Sequence, residues 1–253
     1  MRLFHSAVLL TSFLAVVVSP ARARADEKEV KAVLDKAIKA LGGEEVLGKA
    51  KILSTKSTGT ISFNGGDNPV KIHTTSEGLD RVRSEFEGEF GGNAIKGVTV
   101  FKGDKGWRKF GDDSTELDDQ SIAREKRNVY MQLVSVLVLP LKGKDFKTES
   151  AADEKVGDKP ASAIKVTGPD GKDFTLYFDK ESGLPVRMVG KVIGFQGEEY
   201  TQDTTMSDYK EVGGIKKAMK SQSKRDGEKF IEMEITEFKV LDKADPDTFS
   251  EPK

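Results

Sequence analysis

Arg81-Val82-Arg83-Ser84-Glu85-Phe86-Glu87 is the stretch whose reading decides the fold. Val82, Ser84 and Phe86 fall on one side of an extended chain, and Arg81, Arg83, Glu85 and Glu87 on the other. A period of two with one charged side marks an antiparallel strand with one wet face. The same texture continues upstream in Ile52–Phe63 and Val70–Ser76, and downstream in Gly97–Lys102 and Gly106–Phe110. Gly65-Gly66-Asp67-Asn68 and Gly91-Gly92-Asn93 supply breaks between these segments. Strands resume at Asp145–Ser150, Ala161–Thr167, Asp173–Asp179, Pro185–Ile193, Glu199–Tyr209, Ile215–Lys224 and Glu228–Val240. Gly168-Pro169-Asp170-Gly171 is a turn in which proline presets φ and glycine accepts a positive one. Eleven or twelve strands in one sheet are expected, and an open sheet of that size curls.

The last hairpin permits a register prediction. A three-residue loop, Arg225-Asp226-Gly227, pairs Lys224 with Glu228, Lys220 with Glu232 and Met219 with Met233, with Ile231 and Ile235 on the Met233 face. A two-residue loop sets Lys220 beside Met233 instead. The first register separates charge from core and is preferred, with Gly227 in a left-handed bulge. It makes Lys216, Lys220 and Lys224 one face of a neutralised ladder rather than a patch for anionic lipid.

Two helical patterns interrupt the strands. In residues 27–41, Val30, Val33, Leu34, Ala37, Ile38 and Leu41 form one stripe, and Gly42-Gly43 ends it. A short piece over Glu44–Lys49 follows. Leu117–Leu139 carries Ile122, Val129, Leu133 and Val136 on one line, acids at its start and Pro140 at its end. Its last residues, Val134–Leu139, are apolar nearly all round; a helix buried on every side is favoured over a strand.

Residues 1–25 have the form of a secretion signal: Arg2, an apolar run Ala7–Ser19, and small-x-small sites ending at Ala23 and Ala25. The run is short for a membrane anchor. Cleavage near Ala25 leaves a chain of 228 residues, 26–253, read as one domain, and a periplasmic or secreted location is expected. Losing Arg2, Arg22 and Arg24 leaves 38 basic against 42 acidic residues, a net charge of −4 that points away from nucleic acid. Charged residues make up 33% of the chain and hydrophobic ones 36%, which excludes a polytopic membrane protein. The absence of cysteine excludes disulfides and thiol chemistry.

His73 is the one histidine outside the signal, and it sits opposite Val70 and Ile72 on its strand. Catalysis there needs a serine or a metal within hydrogen-bond reach, and no G-x-S-x-G or H-E-x-x-H motif provides one. An exposed strand histidine is expected. The acidic run Asp112–Asp119 is read as a solvated loop and helix start rather than a calcium site. No P-loop is present and no pair of carboxylates is marked for glycoside chemistry. No catalytic residue, no metal site and no cofactor is therefore assigned.

Three stretches carry a resemblance. They are Ala37–Gly43 running into Lys49-Ala50-Lys51 and Ser57–Thr60; Leu176-Tyr177-Phe178-Asp179-Lys180-Glu181-Ser182-Gly183-Leu184-Pro185-Val186; and Asp208–Lys216 continuing through Ile235–Phe238 to Phe249–Pro252. Their order resembles the lipoprotein carrier and receptor superfamily of the bacterial envelope, with the LolA/LolB-like fold, over nearly the whole chain after the signal. The resemblance implies a mainly β (α+β) fold: a large curled antiparallel sheet or unclosed β-barrel, an N-terminal helix and a central lid or plug helix. It implies an exported, non-enzymatic carrier or binder of lipidated or apolar ligands, lipoprotein-sorting-like, that is not an integral membrane protein. The alternative is an interaction or sensing module with a filled core and an envelope protein partner. For the concave face the expected residues are Phe86, Phe174, Leu176, Phe178, Met188, Tyr130, Leu133 and Leu137. They line a hollow for acyl chains or simply pack the core. Trp107 belongs either to the core or to the barrel mouth.

Overall fold

The computed structural model describes residues 20–63, 65–194 and 197–253. Most of the expected secretion signal lies outside them. Helix α1 spans Pro20–Leu41, α2 spans Glu44–Lys49 and α3 spans Asp119–Leu137, followed by a 3-10 turn at Leu139–Lys142. The strands are β1 (Ile52–Phe63), β2 (Gly66–Glu77), β3 (Arg81–Phe90), β4 (Asn93–Lys102), β5 (Lys105–Phe110) and β6 (Asp113–Glu116), then β7 (Lys147–Val156), β8 (Lys159–Thr167) and β9 (Asp173–Asp179). They end with β10 (Pro185–Ile193), β11 (Glu199–Val212), β12 (Ile215–Arg225) and β13 (Glu228–Leu241).

Among the described residues thirteen strands make one antiparallel sheet in the order β6-β5-β4-β3-β2-β1-β13-β12-β11-β10-β9-β8-β7. The chain runs outward from β1 to β6, and α3 carries it across to β7. A second meander then returns it to the β1–β13 seam. Strands β5 and β10 are eight spacings apart in this order, about 38 Å if the sheet were flat. Yet α3 meets both: Ile122 packs with Phe101 beside Gly106 of β5, and Met131 lies against Gly190 of β10. The stretch from Ile122 to Met131 is only ~13 Å long. The sheet is therefore curled, unclosed, and bridged by the helix that joins its two edge strands.

The apolar stripe of α1 is realised, with Val30, Leu34, Ala37, Ile38 and Leu41 all buried in the main core. Gly42 closes the helix at φ 135°, and the N–H of Gly43 donates to the Ile38 carbonyl at 2.8 Å. A Cβ on Gly42 would stand 2.2 Å from the Gly214 carbonyl oxygen, so the backbones of α1 and the β11–β12 turn meet where only glycine fits. The helical alternative for Val134–Leu139 holds as far as Leu137. Val138 then turns to φ 57° and Pro140 enters the 3-10 turn. Asp118 caps α3 by accepting from the Ser121 N–H at 2.8 Å.

Two expectations are corrected. The acidic run is not all loop: Asp113–Glu116 is edge strand β6, paired with β5, which raises the strand count to thirteen. The last hairpin closes on two residues, Asp226 (φ 48°) and Gly227 (φ 89°), so Arg225 faces Glu228. Both central residues then take the positive φ that suits the twist of a tight hairpin. The Asp226 carboxylate also accepts from the Thr201 N–H at 2.9 Å, tying the turn to β11. A bulge between Ser223 and Lys224 restores the phase beyond the turn. Lys220 consequently faces Glu234 rather than Glu232, Met233 faces Ser221 rather than Met219, and Lys224 faces Lys229. Charge and core are separated as the sequence requires, by a bulge rather than by a longer loop.

Candidate functional site

The concave face divides into a covered part and an open part. Under the helices, Phe174, Leu176, Phe178 and Met188 of β9 and β10 are buried. Tyr130, Leu133 and Leu137 of α3 pack against the same core from above. These seven of the nine expected residues come together as one packed layer. Phe86 also lies on the concave face, but beyond the helices. Trp107 pairs with Val100 on the convex face and joins neither the covered core nor the open hollow.

The open part is built by register. Ile61 faces Ile231, Gly59 faces both Met233 and Val70, and Ile72 faces Phe86. These partners fall on the side that points into the curl. Ile61, Ile72, Phe86, Ile231 and Met233 are only half-buried. Phe86 stacks on Phe90 with ring centroids 6.0 Å apart, and Phe90 meets Phe63 edge-on at 6.4 Å. At the rim Phe63, Phe110 and Ile95 are 56%, 42% and 38% exposed. The row was legible in part, since Ile231, Met233 and Ile235 share a face by simple alternation. Its partners on β1 and β2 needed the sheet order. Two further grooves flank the helices, one of about 320 Å³ between α1 and Phe146, the other of about 410 Å³ beside Ile122 and Lys126.

Arg127 holds α3 over this face. It is buried, and its guanidinium donates to the carbonyls of Lys191 (3.0 Å), Lys172 (3.2 Å) and Asp173 (2.8 Å) and to the Asp170 carboxylate (3.1 Å). On the opposite side Arg108 of β5 donates to Glu125 at 2.6 Å. The lid is thus pinned to both halves of the curl. Helical spacing puts Arg127 off the apolar line of α3, and its role becomes visible only through partners more than forty residues away.

The convex face carries a serine–histidine–glutamate cluster. Ser54 Oγ lies 3.0 Å from His73 Nε2, and His73 Nδ1 lies 3.4 Å from Glu85. The serine that sequence motifs did not reveal is supplied by the neighbouring strand. Burial opposes ionisation of Glu85, but Arg83 and His73 bring its carboxyl below the usual range. The order serine–histidine–carboxylate is that of a nucleophilic triad. However, β1 and β2 are central strands whose N–H groups are taken up by the ladders on both sides. They leave no pair of donors aimed at an oxyanion.

Lys217 of β12 faces Lys210 of β11. Its side chain is half-buried, and burial pushes its amine down to about 8. It makes no hydrogen bond or ion pair with any described residue.

Three solved structures share this architecture. A LolA superfamily protein from Nitrosomonas europaea matches with a TM-score of 0.57 at 11% identity, covering 88% of this chain and 97% of its own. A DUF1329 family protein from Desulfovibrio piger matches at 0.56 and 12% identity, over 87% and 97%. An outer membrane lipoprotein-sorting protein domain from Vibrio parahaemolyticus matches at 0.55 and 8% identity, over 88% and 97%. No protein-family model matches the sequence, and no curated protein does. The chain has the LolA-like superfamily fold, and at these identities the likeness concerns the fold alone.

Proposed function

We propose that the protein is an exported, non-enzymatic carrier or binder of lipid-like ligands in the bacterial cell envelope. The observation that carries this reading is the row Ile61, Ile72, Phe86, Ile231 and Met233, apolar, concave and only half-buried. A large apolar surface left unfilled by its own chain marks a binding site. Burying an acyl tail there contributes about 0.8 kcal/mol per methylene. The covered layer of Tyr130, Leu133, Leu137, Phe174, Leu176, Phe178 and Met188 extends the hollow when α3 moves aside. The neighbouring folds named above are consistent with a carrier, and among the described residues no helix is long and apolar enough to cross a membrane.

The test is native mass spectrometry of the protein purified from envelope extract. A co-purifying lipid, or uptake of added lipid or lipopeptide at one per chain, is expected. A bare-chain mass that no added lipid changes overturns the reading. The exposed rim of Phe63, Phe110 and Ile95 favours a second role, docking on an envelope protein. A stoichiometric partner retained with an empty lipid extract would place that role first.

A further inference from the structure

The concave wall carries a positioned guanidinium at its rim. Gln202 of β11 pairs with Gly190 of β10 on one side and with Arg225 of β12 on the other. Directly opposed residues share a face, and a Cβ on Gly190 would meet Met131 and Phe174 of the covered core. Arg225 therefore faces into the curl. Ser223, two residues before it, faces Ile231, which faces Ile61, and Phe63 lies two residues beyond Ile61, so Arg225 and Phe63 belong to the same rim. Two rings and an amide hold Arg225. Its guanidinium carbon lies 3.6 Å from the centre of the Phe230 ring and 5.1 Å from that of Tyr200, and its Nε donates to Gln202 Oε1 at 3.3 Å. Phe230 is the residue that the bulge leaves without a partner on β12, and a bulge re-aims a side chain. Among the described residues no carboxylate forms an ion pair with Arg225. Asp226 accepts from the Thr201 N–H, Asp203 pairs with Arg187, Glu198 accepts from the Tyr200 hydroxyl at 3.0 Å, and Glu228 opposite is exposed. Burial works against the charge of Arg225, yet a guanidinium stays protonated. The result is a half-buried cation, oriented in advance, without a counter-charge of its own.

We infer that Arg225 seats the oxyanion head, a carboxylate or a phosphate, of a single-chain amphiphile whose tail lies along the open apolar row. This rests on that row being a lipid site. From β12 the wall passes to Ile231 on β13, Ile61 on β1, Ile72 on β2 and Phe86 on β3. Four strand spacings make about 19 Å, so a tail that starts at Arg225 crosses the whole row. A guanidinium offers parallel N–H groups that match an oxyanion, and Gln202 takes up only the Nε side of this one. The Ser223 and Thr204 hydroxyls, 2.8 Å apart, stand on the same face as a further hydrogen-bonding pair. A head held at the rim keeps some contact with water, which lowers the cost of burying its charge.

Calorimetric titration with hexadecanoate, hexadecyl phosphate and hexadecanol, at mildly alkaline pH and below micelle-forming concentrations, tests this on the wild-type protein, Arg225→Met and Arg225→Lys. The wild type is expected to prefer an anionic probe over the alcohol by roughly tenfold or more. Arg225→Met loses that preference while still binding hexadecanol as the wild type does. Arg225→Lys keeps a smaller preference, because a point charge cannot offer two parallel N–H groups. The tighter of the two anions names the head group. Equal binding of all three probes by the wild type, or an undiminished preference in either variant, overturns the role of Arg225 and leaves the hollow standing. Acetate or inorganic phosphate binding as tightly as the amphiphiles also overturns it, since the tail would then contribute nothing. If the wild type binds no probe, the lipid site itself falls and Arg225 with it. Should Arg225→Met fail to fold, the preference of Arg225→Lys against that of the wild type decides.

Discussion

Arg127 of α3 donates from Nη2 to the backbone carbonyl of Asp173 at 2.8 Å, joining the helix that plugs the curl to the strand beneath it. The same guanidinium reaches two more carbonyls and Asp170, so one side chain holds the lid over β9 and β10. Replacing it by Met leaves those acceptors buried and the Asp170 carboxylate unpaired. Arg127→Met is expected to lower stability by about 3 kcal/mol in urea unfolding and to speed ligand uptake by loosening α3. Arg127→Lys recovers only part, because an ammonium cannot reproduce the planar fork. An unchanged midpoint would remove the clamp from the account.

Asp179 closes the Asp179–Leu184 turn by accepting from the N–H and hydroxyl of Ser182 at 2.6 and 2.7 Å. Burial works against its ionisation, but these bonds win and hold its carboxyl below the ordinary 3.8. A carboxyl depressed in the folded state stabilises fully above its unfolded value and loses that contribution as pH falls through the folded value. The wild type should therefore lose stability below about pH 4 more steeply than Asp179→Asn. Parallel pH profiles of the two proteins would show the difference, and identical acid limbs would refute it.

Met233 faces Gly59 across the β1–β13 seam, where the missing Cβ leaves room for its sulfur. A bulkier side chain there enters the hollow rather than a packed core. Met233→Trp should weaken hexadecanol binding by roughly tenfold, a loss of about 1.4 kcal/mol, while thermal unfolding shifts little because the position is half-open. A wild-type affinity in this variant would move the ligand elsewhere.

Ser54 and His73 form a hydrogen bond on the convex face that looks catalytic but lacks an oxyanion site. Ser54→Ala is expected to cost about 1 kcal/mol of stability and to change no ester turnover. Labelling of Ser54 by a fluorophosphonate probe would contradict this and revive a hydrolase.

How far the sequence reached can be traced through particular residues. The bounds of β1, β9, β10 and α2 were legible because glycine pairs, an Asp-Gly turn or proline mark where they begin and end. Strand β6 was missed because Asp113-Ser114-Thr115-Glu116 has no apolar face, and its only warrant is the exposed edge of β5. The hairpin register failed because a bulge near Phe230 can shift phase without leaving a mark in hydropathy. Phe86 shares the face of Val82 by local alternation. That it lies in the open part, and that Phe174 and Leu176 lie in the covered part, depends on where α3 comes to rest.

Local chemistry therefore determined the elements of this protein: strands from period-two alternation, helices from their stripes, ends from glycine, proline and capping acids. Those signals act between residues a few positions apart, and the chain carries them whatever its global shape. The curl, the clamp at Arg127 and the unfilled apolar row were decided by the tertiary structure alone. Each depends on segments tens to hundreds of residues apart, and the energy that joins them is gained only once the whole sheet has curled around its helix.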